Sequence, residues 1–249
     1  MNALHWLLVV SASGAAGVMN AIAGGGTLLA FPALLAVGLS PIAANVTNTV
    51  ALCPGQLSSL WAYRRHLADE RRRAAVLSVP AVLGATIGSL LLLWLPERAF
   101  AAVVPWLILF ACVVLALQGP LKALAARHVG GNHPAVHWVV QLLISIYGGY
   151  FGAGMGILML AAMGVLIPSS MQHANGLKIL FGTLTNGVAA VLFAFDGRVD
   201  WPVALVMALA SIAGGVLGGL LARRMAPTAM RAFAIGVGVF AAGKILLVG

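Results

Sequence analysis

Eight apolar stretches alternate with short polar separators along the chain, at about 4 to 38, 42 to 63, 74 to 95, 99 to 119, 136 to 167, 170 to 195, 202 to 222 and 229 to 248. The separators are Arg64 to Arg73 (RRHLADERRR), Pro96 to Arg98, Lys122 to Pro134, Asp196 to Asp200 (DGRVD) and Arg223 to Arg231. About 20 apolar residues cross a bilayer as a helix. The pattern therefore predicts an all-α polytopic membrane protein of seven or eight spans, with no room for a soluble catalytic domain.

Two of the stretches are broken near their middle by glycines, at Gly24, Gly25 and Gly26 and again at Gly152, Gly154 and Gly156. The surrounding text repeats. NAIAGGGTLLAFPALLAVGLSPIAANVTNTVALCPGQLSS in the first half matches YGGYFGAGMGILMLAAMGVLIPSSMQHANGLKILFGTLTN in the second, with one two-residue gap. Leu39 then falls against Leu166, Pro41 against Pro168, Asn48 against Asn175 and Gly55 against Gly182, while Ser58 and Ser59 face Thr185 and Asn186. A repeat of this kind reorganises the reading of a membrane chain. It divides into a first transmembrane repeat at 1–120, a cytoplasmic linker at 121–135 and a second repeat at 136–249. Each repeat is expected to be a glycine-broken re-entrant or discontinuous helix followed by three transmembrane helices. The second broken stretch, at about 32 residues, is short for two crossings and long for one, which suits two half-helices meeting at membrane depth.

Composition sharpens this picture. Hydrophobic residues make up 62% of the chain and charged residues 8%, against about 25% charged in ordinary soluble domains. The formal net charge of +9 then reads as cytoplasmic loops rather than a nucleic-acid surface. With the Arg64 to Arg73 loop inside, three crossings after each re-entrant hairpin invert the two halves. Ten cations then lie inside (Arg64, Arg65, Arg71, Arg72, Arg73, Lys122, Arg127, Arg223, Arg224 and Arg231) and only Arg98, Arg198 and Lys244 outside. A parallel arrangement exports the Arg223 to Arg231 loop and fits less well, so the charges favour inversion. The apolar start at Leu4 to Val10 lacks a preceding Lys or Arg and leads into the repeat, so it reads as a retained segment rather than a signal peptide. Cys53 and Cys112 sit in apolar runs and imply neither a disulfide nor a metal.

The candidate chemistry is the polarity left inside the spans. Backbone freed by a glycine break costs several kcal/mol per unsatisfied group in hydrocarbon unless protein or a cavity receives it. A half-helix starting near Gly26 to Leu28 or Met155 to Leu158 offers free N–H groups and a positive dipole end to an anion. The competing reading is that these glycines only let helices pack closely. After each break comes the most polar span of its half: Asn45, Asn48, Gln56 and Ser59 with Thr47 and Thr49 in one, and Asn175, Lys178, Gly182, Thr185 and Asn186 on one face in the other. Lys178 stands about nine residues, roughly 13 Å, into its span. Insertion scales charge about 2.5–3.5 kcal/mol for a lysine at such depth. All five carboxylates (Asp69, Glu70, Glu97, Asp196 and Asp200) fall in loops or at membrane edges. An anionic ligand would therefore supply the missing countercharge; a snorkelling or neutral lysine is the alternative. His173 could titrate or simply sit at a helix entrance, and His66, His128, His133 and His137, near loop ends, are expected to be solvated.

The glycine-broken NAIAGGGTLLAFPALLAVGLSP, with Pro32 following and a polar Asn/Thr helix after it, repeated beyond a basic loop, resembles the TauE/SafE family, also called the 4-toluene sulfonate uptake permeases. The resemblance spans essentially the whole chain. The second repeat departs from it, with Gly152, Ala153, Gly154, Met155 and Gly156 in place of a longer glycine run and Ala161 or Ala162 where a proline often stands. The resemblance implies a secondary transporter of small organosulfur anions, sulfonate or sulfite in type, in a bacterial-type cytoplasmic membrane, for uptake or export. A passive anion-selective channel and a carrier of non-sulfur organic anions remain open, whereas an intramembrane enzyme lacks a nucleophile–base pair or carboxylates within the spans.

Taken together, the expected substrate-binding residues are Asn20, Gly24, Gly25, Gly26, Thr27, Asn45, Asn48, Thr49, Gln56, Gly154, Gly156, Asn175, Lys178, Thr185 and Asn186, with no catalytic residue, metal or cofactor. The expected partners are a small anion and the bilayer. Proton or sodium coupling is left open.

Overall fold

The computed structural model describes residues 2–22, 25–126, 134–166, 171–221 and 227–248. The described residues form helices only. In chain order these are α1 (Ala3–Ile22), α2 (Thr27–Ala36), α3 (Pro41–Ala68), α4 (Arg71–Trp94), α5 (Glu97–Ala116), α6 (Gln118–Ala126), α7 (Pro134–Tyr150), α8 (Met155–Leu166), α9 (Met171–Ala194), α10 (Trp201–Leu221) and α11 (Pro227–Val248). Among the described residues, four stretches are both long and apolar enough to span a bilayer: Ala3–Asn20, Arg71–Trp94, Glu97–Ala116 and His173–Ala194. The chain is a polytopic helical membrane protein. Large apolar side chains such as Trp94, Trp106, Phe195, Leu209 and Phe240 stand on its outside, as expected where lipid rather than water is the solvent.

The breaks lie where glycine alone tolerates the backbone. Gly25, Gly152 and Gly154 have φ of +87°, +76° and +76°, the left-handed region that a side chain resists. Because Gly148 and Gly149 stay helical, the second break comes late, at 151–154, so α7 has 17 residues and α8 only 12. The first broken stretch is likewise unequal, with α1 of 20 residues and α2 of 10. The limbs are thus one long and one short. The expected linker from 121 is helical through residue 126 as part of α6.

Local chemistry sets the other boundaries. The end of α2 is a Schellman motif: Leu39 N–H donates to Leu34 O and Gly38 N–H to Leu35 O, with Gly38 at φ +95°. Pro41 then opens α3, where its missing N–H costs nothing. Asp200 caps α10, its Oδ1 accepting the Val203 N–H at 3.1 Å. At the start of α3, Glu97 Oε1 accepts the Ile42 N–H at 3.1 Å.

Three helix pairs hold the bundle: α1 along α10, α4 along α7, and α3 along α9. The first two are glycine seams. A Cβ at Gly17 or Gly214 would run into the Ser211 or Gly14 carbonyl, and one at Gly88 or Gly149 into the Ile146 or Ala85 carbonyl. Both seams run parallel, since rising numbers in one helix meet rising numbers in the other. These glycines let the paired helix backbones approach closely. The core between the pairs is mainly apolar, built on Met19, Phe31, Ile42, Phe100, Ile108, Leu115, Phe181 and Phe193.

Candidate functional site

Polar contacts converge on α3. Near its start, Asn45 donates from Nδ2 to the Tyr150 carbonyl, the last of α7, at 3.0 Å. One turn later, Asn48 Nδ2 donates to Thr27 Oγ1, the first residue of α2, at 3.4 Å. Two turns further, Gln56 Oε1 accepts from Asn186 Nδ2 of α9 at 3.0 Å, and the Gln56 carbonyl accepts from Thr183 Oγ1 at 3.4 Å. One helix therefore ties together the end of α7, the start of α2 and the middle of α9. Thr49 takes no part in this: its hydroxyl donates back to Asn45 O at 2.9 Å, the usual local bond of a helical threonine.

Both glycine breaks rest on α5. A Cβ added at Gly25 would lie 3.7 Å from the Leu115 side chain, and one added at Gly154 would lie 3.5 Å from Val114 Cγ1. The edge-to-face rings of Phe31, on α2, and Phe151, in the second break, lie 5.3 Å apart and join the two breaks directly. At the first break, Asn20 Oδ1 accepts the Gly26 N–H at 2.8 Å, so a residue at the end of α1 occupies one of the free donors ahead of α2. Asn20 itself is exposed. A Cβ at Gly26 would strike Asn20 and the Ala16 carbonyl, so only glycine fits there. Gly24 lies outside the described residues, as do the side chains of Ser58, Ser59 and His66, and residues His128, His133 and Pro168.

At the second break, the Tyr147 hydroxyl donates to Ala153 O and holds the turn. Met155 N–H reaches Gly152 O, and Ile157 and Leu158 N–H share Gly154 O, whereas the Gly156 N–H has no acceptor among the described residues. Lys178 passes here, with its Cδ 4.0 Å from where a Gly156 Cβ would be. Among the described residues, Lys178 has neither an ion-pair nor a hydrogen-bond partner; the charge acting on it is the like charge of Lys122. A Cβ added at Gly182 would lie 3.9 Å from Gln56 Oε1 and 4.0 Å from Met155 Cε. Thus Lys178, Gly182 and Asn186 share one face of α9, turned toward α3 and α8. Thr185 turns toward α7 instead, where its hydroxyl meets Ser145 Oγ at 3.2 Å. Asn175, on the same helix, is hydrogen-bonded or otherwise engaged.

The carboxylates stay at the ends. Asp69 stands 3.4 Å from His173 Nε2 at the end of α9, Glu70 pairs with Arg73 at 3.0 Å, and Asp196 pairs with Arg198. Those bonds hold the Arg198 guanidinium more firmly protonated than usual. His137 departs from expectation: it is 6% exposed, not solvated. The reason is its position on the face of α7 that carries Gln141 and Ser145 inward, all buried. Gln141 Nε2 donates to Ser145 Oγ at 2.9 Å, which continues to Thr185. The spacing 137, 141, 145 on one helix face was readable in the chain, but nothing in it said that this face would meet α4 and α9 rather than water.

Comparison with known proteins adds family and relatives. The family model for the sulfite exporter TauE/SafE matches residues 9–245. A "Probable membrane transporter protein" of Haemophilus influenzae is 30% identical over 220 residues, covering 87% of this chain and 84% of that protein. The "Probable membrane transporter protein YfcA" of Escherichia coli K12 is 27% identical over 236 residues, covering 93% and 86%. The "Probable membrane transporter protein YunE" of Bacillus subtilis is 23% identical over 239 residues, covering 84% and 86%. No solved structure matches.

Proposed function

The chain belongs to the TauE/SafE sulfite exporter family, and from that premise we propose that it is a secondary transporter moving small organosulfur anions, sulfonate or sulfite in type, across a bacterial cytoplasmic membrane by alternating access. The observation that carries the reading is Lys178, an amine without a countercharge, beside the unused Gly156 N–H at the positive end of α8. Two positive features side by side repel each other. A bound anion turns that repulsion into two attractions, and a sulfonate or sulfite offers oxygen acceptors to both the ammonium and the N–H. Gln56 and Asn186 stand within one turn or two of this point and are neutral, which fits recognition of an anion by hydrogen bonds around one charge.

Alternating access needs two halves that can exchange roles. The helix pairings support this, because exchanging each of the first five helices with its counterpart among α7–α11 turns the α1–α10 pair into α7–α4 and leaves α3–α9 and α5–α11 unchanged. Moreover, α3 and α9 run antiparallel, with Gln56 facing Thr183 and Asp69 facing His173. Gln56 and Thr183 stand at the same offset as Asn48 and Asn175. Equivalent helices crossing antiparallel at equivalent residues are what an inverted pair of repeats produces.

The test is binding of sulfite, toluene sulfonate, sulfoacetate, benzoate and sulfate to the purified protein, repeated with Lys178→Met. Binding of the sulfur oxyanions with loss in the variant supports the assignment; equal binding by wild type and variant sinks it. Counterflow in proteoliposomes separates a carrier, in which unlabelled internal anion accelerates labelled uptake, from a channel.

A further inference from the structure

Two buried amide oxygens remain without a partner on the same helix. Asn45 and Asn48 are 1% and 2% exposed, and neither Asn45 Oδ1 nor Asn48 Oδ1 has a hydrogen-bond donor among the described residues. An acceptor buried without a donor costs about 1–3 kcal/mol, and here two lie three residues apart on one helix face. The orientation of Asn45 is chemically set: the Tyr150 carbonyl can only accept, so the amide nitrogen must face it and the oxygen must face away. Asn48 Nδ2 donates to the Thr27 hydroxyl at 3.4 Å.

The surroundings favour positive charge. The Tyr150 carbonyl closes α7, where the helix dipole presents its negative end. Glu97 sits at the first turn of α3, three residues before Asn45. Asp200 sits against Thr47, whose Oγ1 accepts the Asp200 N–H at 3.0 Å. The neighbouring rings are apolar and packed in two edge-to-face pairs, Phe31 with Phe151 and Phe100 with Tyr150. Among the described residues no group of His, Cys, Asp or Glu could hold a metal, which argues against a divalent or transition ion. Neutral oxygens at a helix C-terminal end suit a hard, singly charged cation.

We propose that Asn45 Oδ1 and Asn48 Oδ1 bind a small alkali cation, sodium, which couples to the anion site. This rests on the transporter reading for its role but not for the binding itself. The coupling route is short. Asn45 is tied to the end of α7 just before the second break, and Asn48 to the start of α2 just after the first. A cation between them fixes the spacing of both breaks. By linkage, sodium raises anion affinity and the anion raises sodium affinity by the same factor.

The test titrates the purified protein in nanodiscs with NaCl, LiCl, KCl or choline chloride at constant ionic strength, following intrinsic tryptophan fluorescence, with no organic anion present. The expected result is a saturable signal for sodium that choline does not give, weakened about tenfold or more in Asn45→Leu. In Asn48→Asp, which adds a charge to the ligand set, sodium binding should tighten about tenfold; a merely structural asparagine would not produce that gain. Toluene sulfonate affinity measured in sodium and in choline completes the test, and sodium should raise it about fivefold or more. Absence of a sodium-specific signal, or unchanged sodium affinity in both variants, overturns the proposal and leaves the oxygens to bound water. Anion binding that persists in choline and still depends on Lys178 would then show that the cation site had failed while the transporter reading stood.

Discussion

Gly88→Ala is the sharpest test of the packing that brings the two halves together. A Cβ added at Gly88 would sit on the Ile146 carbonyl oxygen and 2.9 Å from both Ile146 C and Tyr150 N. All three are backbone atoms of α7 and cannot rotate away, so α4 and α7 must separate. Moving the Ile146 carbonyl oxygen out to ordinary van der Waals contact needs a shift of roughly 1.5 Å along a seam that Gly84 and Gly149 also depend on. Overpacking of this kind costs about 1–3 kcal/mol, or a fall in thermal midpoint of about 2–12 °C at about 2–4 °C per kcal/mol for a chain this long. Gly214→Ala makes the corresponding clash against the Gly14 carbonyl on the α1–α10 seam and should cost a similar amount. Gly187→Ala is the control, because nothing lies within 4 Å of its added methyl and the helix gains up to about 1 kcal/mol of propensity. The assay is the thermal unfolding midpoint of each purified variant in one detergent. If Gly88→Ala melts at or above Gly187→Ala, the close seam between α4 and α7 is wrong.

Three further outcomes are expected. Lys178→Met keeps the stem against Gly156 but removes the charge, so sulfonate affinity measured by calorimetry should fall about 10- to 150-fold, the worth of a charged hydrogen bond at about 1.5–3 kcal/mol. Tyr147→Phe removes the hydroxyl held by the Ala153 carbonyl and should destabilise the protein by about 1–3 kcal/mol, read as a lower thermal midpoint. A double-mutant cycle of Gln56→Leu and Asn186→Leu should give a coupling of about 0.6–1.7 kcal/mol in unfolding titrations; a coupling of zero would mean that their 3.0 Å bond is not formed.

Much of the architecture was legible in the chain because the bilayer leaves so few choices. Backbone groups in hydrocarbon must bond within their own segment, so uninterrupted apolar runs become helices and short basic separators become their ends. The glycine breaks were legible for the same reason, and α2 and α8 begin at Thr27 and Met155, within the stretches expected to start them. What periodicity could not supply was the length of each limb. That depended on which glycines adopt positive φ, and Gly148 and Gly149 serve helix packing instead.

The candidate site was legible as chemistry but not as geometry. Lys178 stood out from composition alone, because every carboxylate fell outside the spans. That its stem would lie at Gly156, that Thr185 would turn away toward Ser145, and that His137 would be buried required the packing of α9 between α3, α7 and α8. A helix face is set by sequence, but its neighbour is chosen by contacts between residues far apart in the chain. The amino-acid sequence by itself determined a helical membrane protein with two glycine-broken segments and one uncompensated lysine. Only the tertiary structure decided that both breaks rest on α5, that α3 links them, and that two buried asparagine oxygens have no donor among the described residues. Apolar periodicity is local, whereas the pairing of polar atoms within hydrocarbon is settled by which helices meet.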